Sequence, residues 1–323
     1  MLENHGNNKA ILSRIFLVGC PRSGTTLTQS LLAAHTGVAS FPESHFFSHL
    51  LVQTQNLLAA YPRMAAFPGS HFFSHMFVHR CIRPLRIASS NVVPRLYQFL
   101  EDLGRGDMKP FIPEGGLFIG PYVKAYETIC DRLAIEQNKR VWLEKTPGHL
   151  HYLKFIQKLI KASKFIHIIR NGPDVVASLY EVTHKHPEEW GGARDIECCL
   201  RRWIQDVRIS LQYCHRPHHL IVRYEHLVAN PASVLRDLCR FIGVAYSDDL
   251  LQKYVNTSKS LITKDELWKA SVGKAIRSYN GDKFFSIFDS KQQQYVLDRL
   301  KNAGLHELSY PESKRFPSQD TQD

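Results

Sequence analysis

Four short apolar runs stand out along the chain: Ile15-Phe16-Leu17-Val18, Val141-Trp142-Leu143, Phe165-Ile166-His167-Ile168-Ile169 and Leu220-Ile221-Val222. They do not alternate apolar with polar residues, so they predict strands buried on both faces, as in a parallel sheet covered by helices. Polar residues and then a helical pattern follow each one; after the first run, Leu27, Leu31, Leu32 and Ala34 fall at helical spacing. Strand, loop and helix in alternation predict an α/β fold: a doubly wound, three-layer arrangement with a central parallel β-sheet flanked by helices.

The stretch 46–139 breaks this rhythm. It is aromatic and histidine-rich, with scattered prolines, and reads as a mostly helical insertion packed over the loop edge of the sheet, where an acceptor molecule binds. At its start Phe41-Pro42-Glu43-Ser44-His45-Phe46-Phe47-Ser48-His49 nearly recurs 26 residues on (67 − 41 = 26), and Glu43 against Gly69 is the one difference in nine positions. Two copies do not make a solenoid; a local duplication accounts for them. A single domain over 1–310, followed by a loose polar tail at 311–323, is the expected organisation.

Composition narrows the class. The 323 residues, 44% of them hydrophobic, suffice for a sizeable core. No apolar run approaches the ~18 residues of a membrane span. Residues 1–13 carry Glu3, His5 and Lys9 in place of the apolar centre of a signal peptide. A cytoplasmic chain with no membrane partner is expected. The seven cysteines include no C-x-x-C pair and suit neither a zinc site nor a disulfide framework. No metal is therefore expected, and a reducing compartment fits them. A formal net charge of +11 favours anionic partners in general. No helix-turn-helix, zinc-finger or aromatic-basic RNA motif accompanies it, which argues against nucleic acid.

The chemistry begins where the first run ends, in Gly19-Cys20-Pro21-Arg22-Ser23-Gly24-Thr25-Thr26. A glycine-containing loop that opens a helix cradles an anion with backbone N–H groups and the positive helix end. The spacing is that of a Walker A loop, except that Thr25 stands where a lysine would reach the β- and γ-phosphates. Arg22 offers charge in its stead. That suits a donor with one 5′-phosphate and a terminal sulfate, which needs neither a γ-phosphate clamp nor Mg²⁺. A tight turn with incidental glycines is the plainer alternative. A second anion signature follows the third run: Arg170 at the strand end and Ser178 eight residues later, just over two helical turns. A guanidinium paired with a hydroxyl suits a phosphate.

Pro21-Arg22-Ser23-Gly24-Thr25-Thr26 resembles the 5′-phosphosulfate-binding loop of sulfotransferases that use 3′-phosphoadenosine-5′-phosphosulfate (PAPS), in the form shared by tyrosylprotein and many bacterial members. The resemblance implies a P-loop-type three-layer fold, with PAPS as co-substrate and 3′,5′-ADP (PAP) as product. It places Arg22, Ser23, Gly24, Thr25 and Thr26 around the 5′-phosphosulfate, and Arg170 and Ser178 on the 3′-phosphate. Leu143-Glu144-Lys145-Thr146-Pro147 resembles the E-K-T-P segment of bacterial sulfotransferases. Val222-Arg223-Tyr224-Glu225-His226-Leu227 resembles the family's R-Y-E-D-L, a structural signature, with His226 where aspartate is usual. Ser271-Val272-Gly273-Lys274 is similar to the serine-glycine-basic element of the loop that closes over the nucleotide, without its tryptophan, and makes Ser271 and Lys274 nucleotide contacts. The likeness runs from about Ile15 to Ser278.

The implied activity is transfer of a sulfuryl group from PAPS to an acceptor hydroxyl or amine. It is an in-line displacement that needs a base and positive charge for the leaving oxygen. Glu43 lies where similar enzymes place a glutamate base and is the candidate; His45 is the alternative. Lys145 and Arg22 neutralise charge on the bridging and sulfuryl oxygens. Ordinary capping or surface roles for Glu43 and Lys145 compete with this reading. The His45/His49 and His71/His75 pairs lack a third ligand at suitable spacing and read as part of aromatic helices lining a cleft. A small-molecule or metabolite acceptor is expected, carbohydrate included. One rival is a P-loop kinase or NTPase, which needs the missing lysine and a magnesium-binding aspartate where Glu144, Arg170 and Arg223 stand. The other is a polyanion binder, which rests on the net charge.

Overall fold

The computed structural model describes residues 10–50, 88–254 and 282–308. Five strands are present there: β1 (Ser13–Gly19), β2 (Val38–Phe41), β3 (Val141–Lys145), β4 (Ser163–Ile169) and β5 (His219–Arg223). Their order is β2-β3-β1-β4-β5, and the registers of β2 on β3 and of β4 on β5 are parallel. Helix α1 (Thr25–Ala33) follows β1. This is the α/β architecture with a parallel sheet expected from the pattern. All four apolar runs became strands; Ile15, Phe16, Leu17 and Val18 are fully buried, whereas Leu220 and Ile221 on the edge strand β5 are half-buried. β2 was not expected. Its Val-Ala-Ser-Phe is too short and too mixed to announce a strand, and it forms by pairing along β3 from Val38↔Val141 to Phe41↔Glu144.

The chain divides into two compact units, Met1–Phe16 with Thr36–Lys164 and Leu17–His35 with Phe165–Asp323. In the first, the insertion supplies α2 (Phe46–Leu50), α3 (Val92–Asp102) and α4 (Ile119–Glu136), and α5 (Leu153–Leu159) follows β3. Its aromatic residues fill a core. Phe46 stacks on Tyr126 with centroids 4.5 Å apart, and Phe16 meets Trp142 edge-on at 5.4 Å. Phe46 and Phe47 on α2 are fully buried. Large rings with few polar atoms are worth more in a core than in an open groove. His45 and His49 do not share a helix face, because His45 precedes α2 with φ +49°. Residues 51–87, with the second copy at 67–75 and with His71 and His75, lie outside the described residues. So do Ser271, Lys274 and the tail at 311–323.

The second unit adds α6 (Gly172–Lys185), α7 (Ile196–Leu211), α8 (Tyr224–Ala229), α9 (Pro231–Ile242), α10 (Asp282–Ile287) and α11 (Ser290–Asn302). α7 is amphipathic: Leu200, Trp203, Ile204 and Val207 recur at helical spacing. They pack with Val175, Val176, Leu179, Phe284 and Leu300 into one cluster.

β4 and β5 bury a histidine pair in this unit. His167 Nε2 and His219 Nδ1 lie 3.0 Å apart, with the Tyr213 ring 4.5 Å from His219. Burial pulls His167 down to about 3 and His219 to about 4, the neighbouring His219 adding to the first effect and Arg216 to the second. The unfolded chain therefore binds protons below about pH 6.5 that the folded chain refuses. Stability contributed by the neutral pair is present above that pH and is lost as pH falls toward about 4. The unfolding midpoint should drop between pH 7 and pH 5, and His219→Phe, which keeps the stacking on Phe165, should flatten that dependence. An unchanged slope in the variant would show that other groups set it.

Candidate functional site

The loop after β1 is held in an unusual path by its own residues. Gly19 has φ +151°, and a Cβ there would lie 2.5 Å from the Ile168 carbonyl oxygen. Ser23 N–H closes a turn onto the Cys20 carbonyl at 3.2 Å. Arg22 sits at φ +72°, a left-handed conformation that costs on the order of 1 kcal/mol for a residue with a side chain. Gly24, at φ +97°, caps α1 without a side-chain hydrogen bond. A Cβ at Gly24 would meet the Tyr224 ring at 2.3 Å. Thr25 is buried, and buried Ser23 Oγ has no partner among the described residues. An unmatched hydroxyl, a strained arginine and a helix start lacking a side-chain cap are together what an anion completes.

β4 delivers Arg170 and α6 delivers Ser178 to the same unit. Arg22 Nε donates to Ser178 Oγ at 3.1 Å. Arg170 Nη2 donates to the fully buried Asp174 at 3.0 Å, and its guanidinium lies 4.5 Å from the Tyr224 ring centre. Buried Arg170 Nε has no partner among the described residues. Burial, and then the charge of Arg170, hold Arg22 below the usual arginine value, while Glu181 opposes them. Two like charges in a partly desolvated place are relieved by a multiply charged anion.

A supporting web explains why this arginine stays in place. Asn171 donates from its backbone N to Glu225 Oε1 at 2.8 Å and from Nδ2 to Asp174 Oδ2 at 3.0 Å, and its Oδ1 accepts from Asp174 N at 2.9 Å, capping α6. Arg223 Nε holds the other Glu225 oxygen at 3.1 Å, and Trp203 Nε1 donates to the Arg170 carbonyl at 3.1 Å. The Arg-Tyr-Glu segment is thus the backing of Arg170 and of Gly24. Sequence alone singles out the segment but gives it no contact, since nothing in its spacing points to Asn171, 54 positions earlier, or to Gly24, farther still.

The first unit holds the acid–base candidates. Glu43 pairs with Lys145 through Oε1, and its Oε2 lies 3.3 Å from His45 Nε2. Side-chain exposure is 2% for Lys145 and 18% for Glu43. Arg95 on α3 donates to the Ser44 carbonyl at 2.7 Å and to the Glu43 carbonyl at 3.2 Å. Beside them lies a wholly buried set around Glu144. Glu144 Oε1 accepts from Ser44 N at 3.0 Å, from Ser44 Oγ at 2.8 Å and from Thr146 Oγ1, and Oε2 faces His149 Nδ1 at 3.0 Å. Phe47 N–H donates to His149 Nε2 at 3.3 Å, which leaves Nδ1 as the donor to Glu144. Burial alone would raise the Glu144 carboxyl, but His149 and the hydrogen bonds from Thr146 and Ser44 outweigh it and hold it low. The peptide that follows Glu43 is thereby held at both its carbonyl and its N–H. Arg95 and His149 had no signal in the sequence; Glu144 and Thr146 were visible only as members of a motif.

Residues 14–248 match a family model described as the sulfotransferase family. Over 243 residues the chain is 24% identical to protein-tyrosine sulfotransferase 2 of Gallus gallus, covering 73% of this chain and 53% of that protein. Over 242 residues it is 23% identical to protein-tyrosine sulfotransferase 1 of Danio rerio, covering 73% of this chain and 55% of that one. The chain thus spans about half the length of these curated relatives. Among solved structures, the sulfotransferase domain from the Synechococcus PCC 7002 olefin synthase superposes with a TM-score of 0.57 at 22% identity, over 94% of this chain and 97% of that chain. At that identity the likeness speaks for the fold.

Proposed function

The chain belongs to the sulfotransferase family, and from that premise we propose that it transfers a sulfuryl group from PAPS to an acceptor hydroxyl or amine. The observation that carries this reading is the pair of mutually repelling arginines, Arg22 and Arg170, gathered with Ser178 and with a Ser23 hydroxyl unpartnered among the described residues, at the head of α1. Bound PAPS supplies a sulfur that carries a nucleotide 5′-phosphate as leaving group. Ser23, Thr25, Thr26 and the Gly24 amide hold the 5′ end, and Arg170 with Ser178 holds the 3′-phosphate. Arg22 steadies the sulfuryl oxygens. Glu43 takes the acceptor proton, and Lys145 offsets the charge growing on the departing bridging oxygen. Ser271 and Lys274, outside the described residues, belong to the covering loop in this reading.

The kinase alternative has less support: Thr25 replaces the phosphate-reaching lysine, and Glu144 is engaged by Ser44, Thr146 and His149. For the acceptor we favour a small molecule or metabolite, carbohydrate included, in the cytoplasm. The names of the two relatives favour a second reading, the phenol of a protein tyrosine. Among the described residues no helix is long and apolar enough to cross a membrane.

The test needs no acceptor. A ligand at 100 times its dissociation constant stabilises by about 2.7 kcal/mol. PAP should therefore raise the melting temperature by several degrees, while 5′-ADP and ATP·Mg²⁺ at equal concentration should not. Stabilisation by ATP·Mg²⁺ with none by PAP would replace this proposal with the kinase.

A further inference from the structure

His45 stands apart from the other residues around Glu43. Its side chain is 44% exposed, against 18% for Glu43 and 2% for Lys145. It is therefore the member of the trio with the widest access to water. It occupies a left-handed backbone conformation, φ +49°, one residue ahead of α2. Its N–H donates to Thr146 Oγ1 at 3.2 Å, which holds it there. A non-glycine residue kept at positive φ beside a reacting group marks a position where geometry is specified.

We propose that His45 acts through Glu43 as a proton relay, carrying to solvent the proton that Glu43 takes from the acceptor. The inference rests on Glu43 serving as the base. Glu43 presents Oε1 to Lys145 and Oε2 to His45 Nε2 at 3.3 Å. In the resting tautomer of this scheme Nε2 carries the proton, 3.3 Å from the carboxylate oxygen. During transfer the acceptor O–H bond breaks, its oxygen bonds to sulfur, the S–O bond to the 5′-phosphate breaks with its electron pair leaving on PAP, and the proton goes to Glu43. The exposed ring exchanges its own proton with water, so that Nδ1 carries it and Nε2 offers a lone pair. Glu43 then passes its proton to Nε2, Nδ1–H is released to water, and the resting tautomer is restored. The ring must be neutral when it receives that proton. The groups around it favour that state: burial lowers its proton affinity, Arg95 from α3 and His149 after β3 act in the same direction, and Glu43 and Glu144 oppose them.

Two measurements decide it. The first is an NMR titration of the His45 Cε1–H resonance, assigned by its loss in His45→Asn, with and without Glu43→Gln. The titration should lie below the ordinary imidazole range and fall further when the Glu43 charge is removed; no response to Glu43→Gln would overturn the relay. The second is turnover with PAPS and 2-naphthol as a neutral probe phenol. Asparagine tolerates the left-handed backbone, so His45→Asn should keep its fold and its melting-temperature shift with PAP. Its kcat should fall about tenfold or more with little change in KM for PAPS, the low-pH limb of the rate profile should move, and added imidazole should restore turnover. Unchanged kcat and pH profile would overturn the relay while leaving the sulfotransferase reading standing. Loss of the PAP shift in the wild-type chain would instead remove that reading. If the wild type does not turn over 2-naphthol, the titration decides by itself.

Discussion

Glu43→Gln is expected to lower kcat by about 10²- to 10⁴-fold, the usual contribution of a positioned general base, while the melting-temperature shift with PAP is retained. Glutamine has the shape of the carboxylate and can still accept from Lys145, but it cannot take a proton. The substitution also removes the Glu43 charge from beside the Lys145 ammonium, which is 2% exposed. Breaking such a buried pair from one side typically costs about 3–5 kcal/mol. A lower melting temperature should therefore accompany the lost turnover, and the two effects must be separated. The double variant Glu43→Gln, Lys145→Met does so. Removing both charges should recover most of the stability and none of the activity. A double variant that regained turnover would show that Glu43 served to hold Lys145 rather than to take a proton.

Arg170→Ala should weaken PAP binding by roughly 10- to 100-fold, the range for losing hydrogen bonds to a charged group, about 1.5–3 kcal/mol. At fixed PAP most of the thermal shift should vanish. The unliganded protein should be destabilised as well, because Asp174, fully buried, loses the guanidinium donor at 3.0 Å. Arg170→Lys is the sharper comparison. It keeps the charge but loses the flat stacking on Tyr224 and the fork of donors, so it should restore only part of the affinity. Isothermal titration with PAP reads both variants directly. Full affinity in Arg170→Ala would remove this residue from the 3′-phosphate and with it the main support for PAPS as donor.

Much of the fold was legible because buried parallel strands must be apolar on both faces, and Ile15 to Val18 and Phe165 to Ile169 leave no other reading. The glycine-containing turn after β1 was legible for a similar reason. Gly19 and Gly24 occupy places where a Cβ would strike Ile168 and Tyr224, so glycine at that spacing reports backbone geometry. Composition alone did not say which rings of the aromatic stretch enter the core; Phe46 and Phe47 do. β2 was invisible because Val38–Phe41 owes its existence to its neighbour β3.

Within the candidate site, the chain itself determined the kinds of group available: Arg22 and Ser23 in a loop that turns into a helix, Arg170 and Ser178 two turns apart, Glu43 and Lys145 in short motifs. Only tertiary structure decided how those groups are held. Glu225 reaches back to Asn171, Tyr224 supports both Gly24 and Arg170, and Arg95 secures the carbonyls of Glu43 and Ser44. Local backbone preference acts over a few residues and leaves its mark on neighbouring letters. A hydrogen bond between residues 50 or 100 positions apart leaves none, because its energy depends on where the packed elements bring their ends.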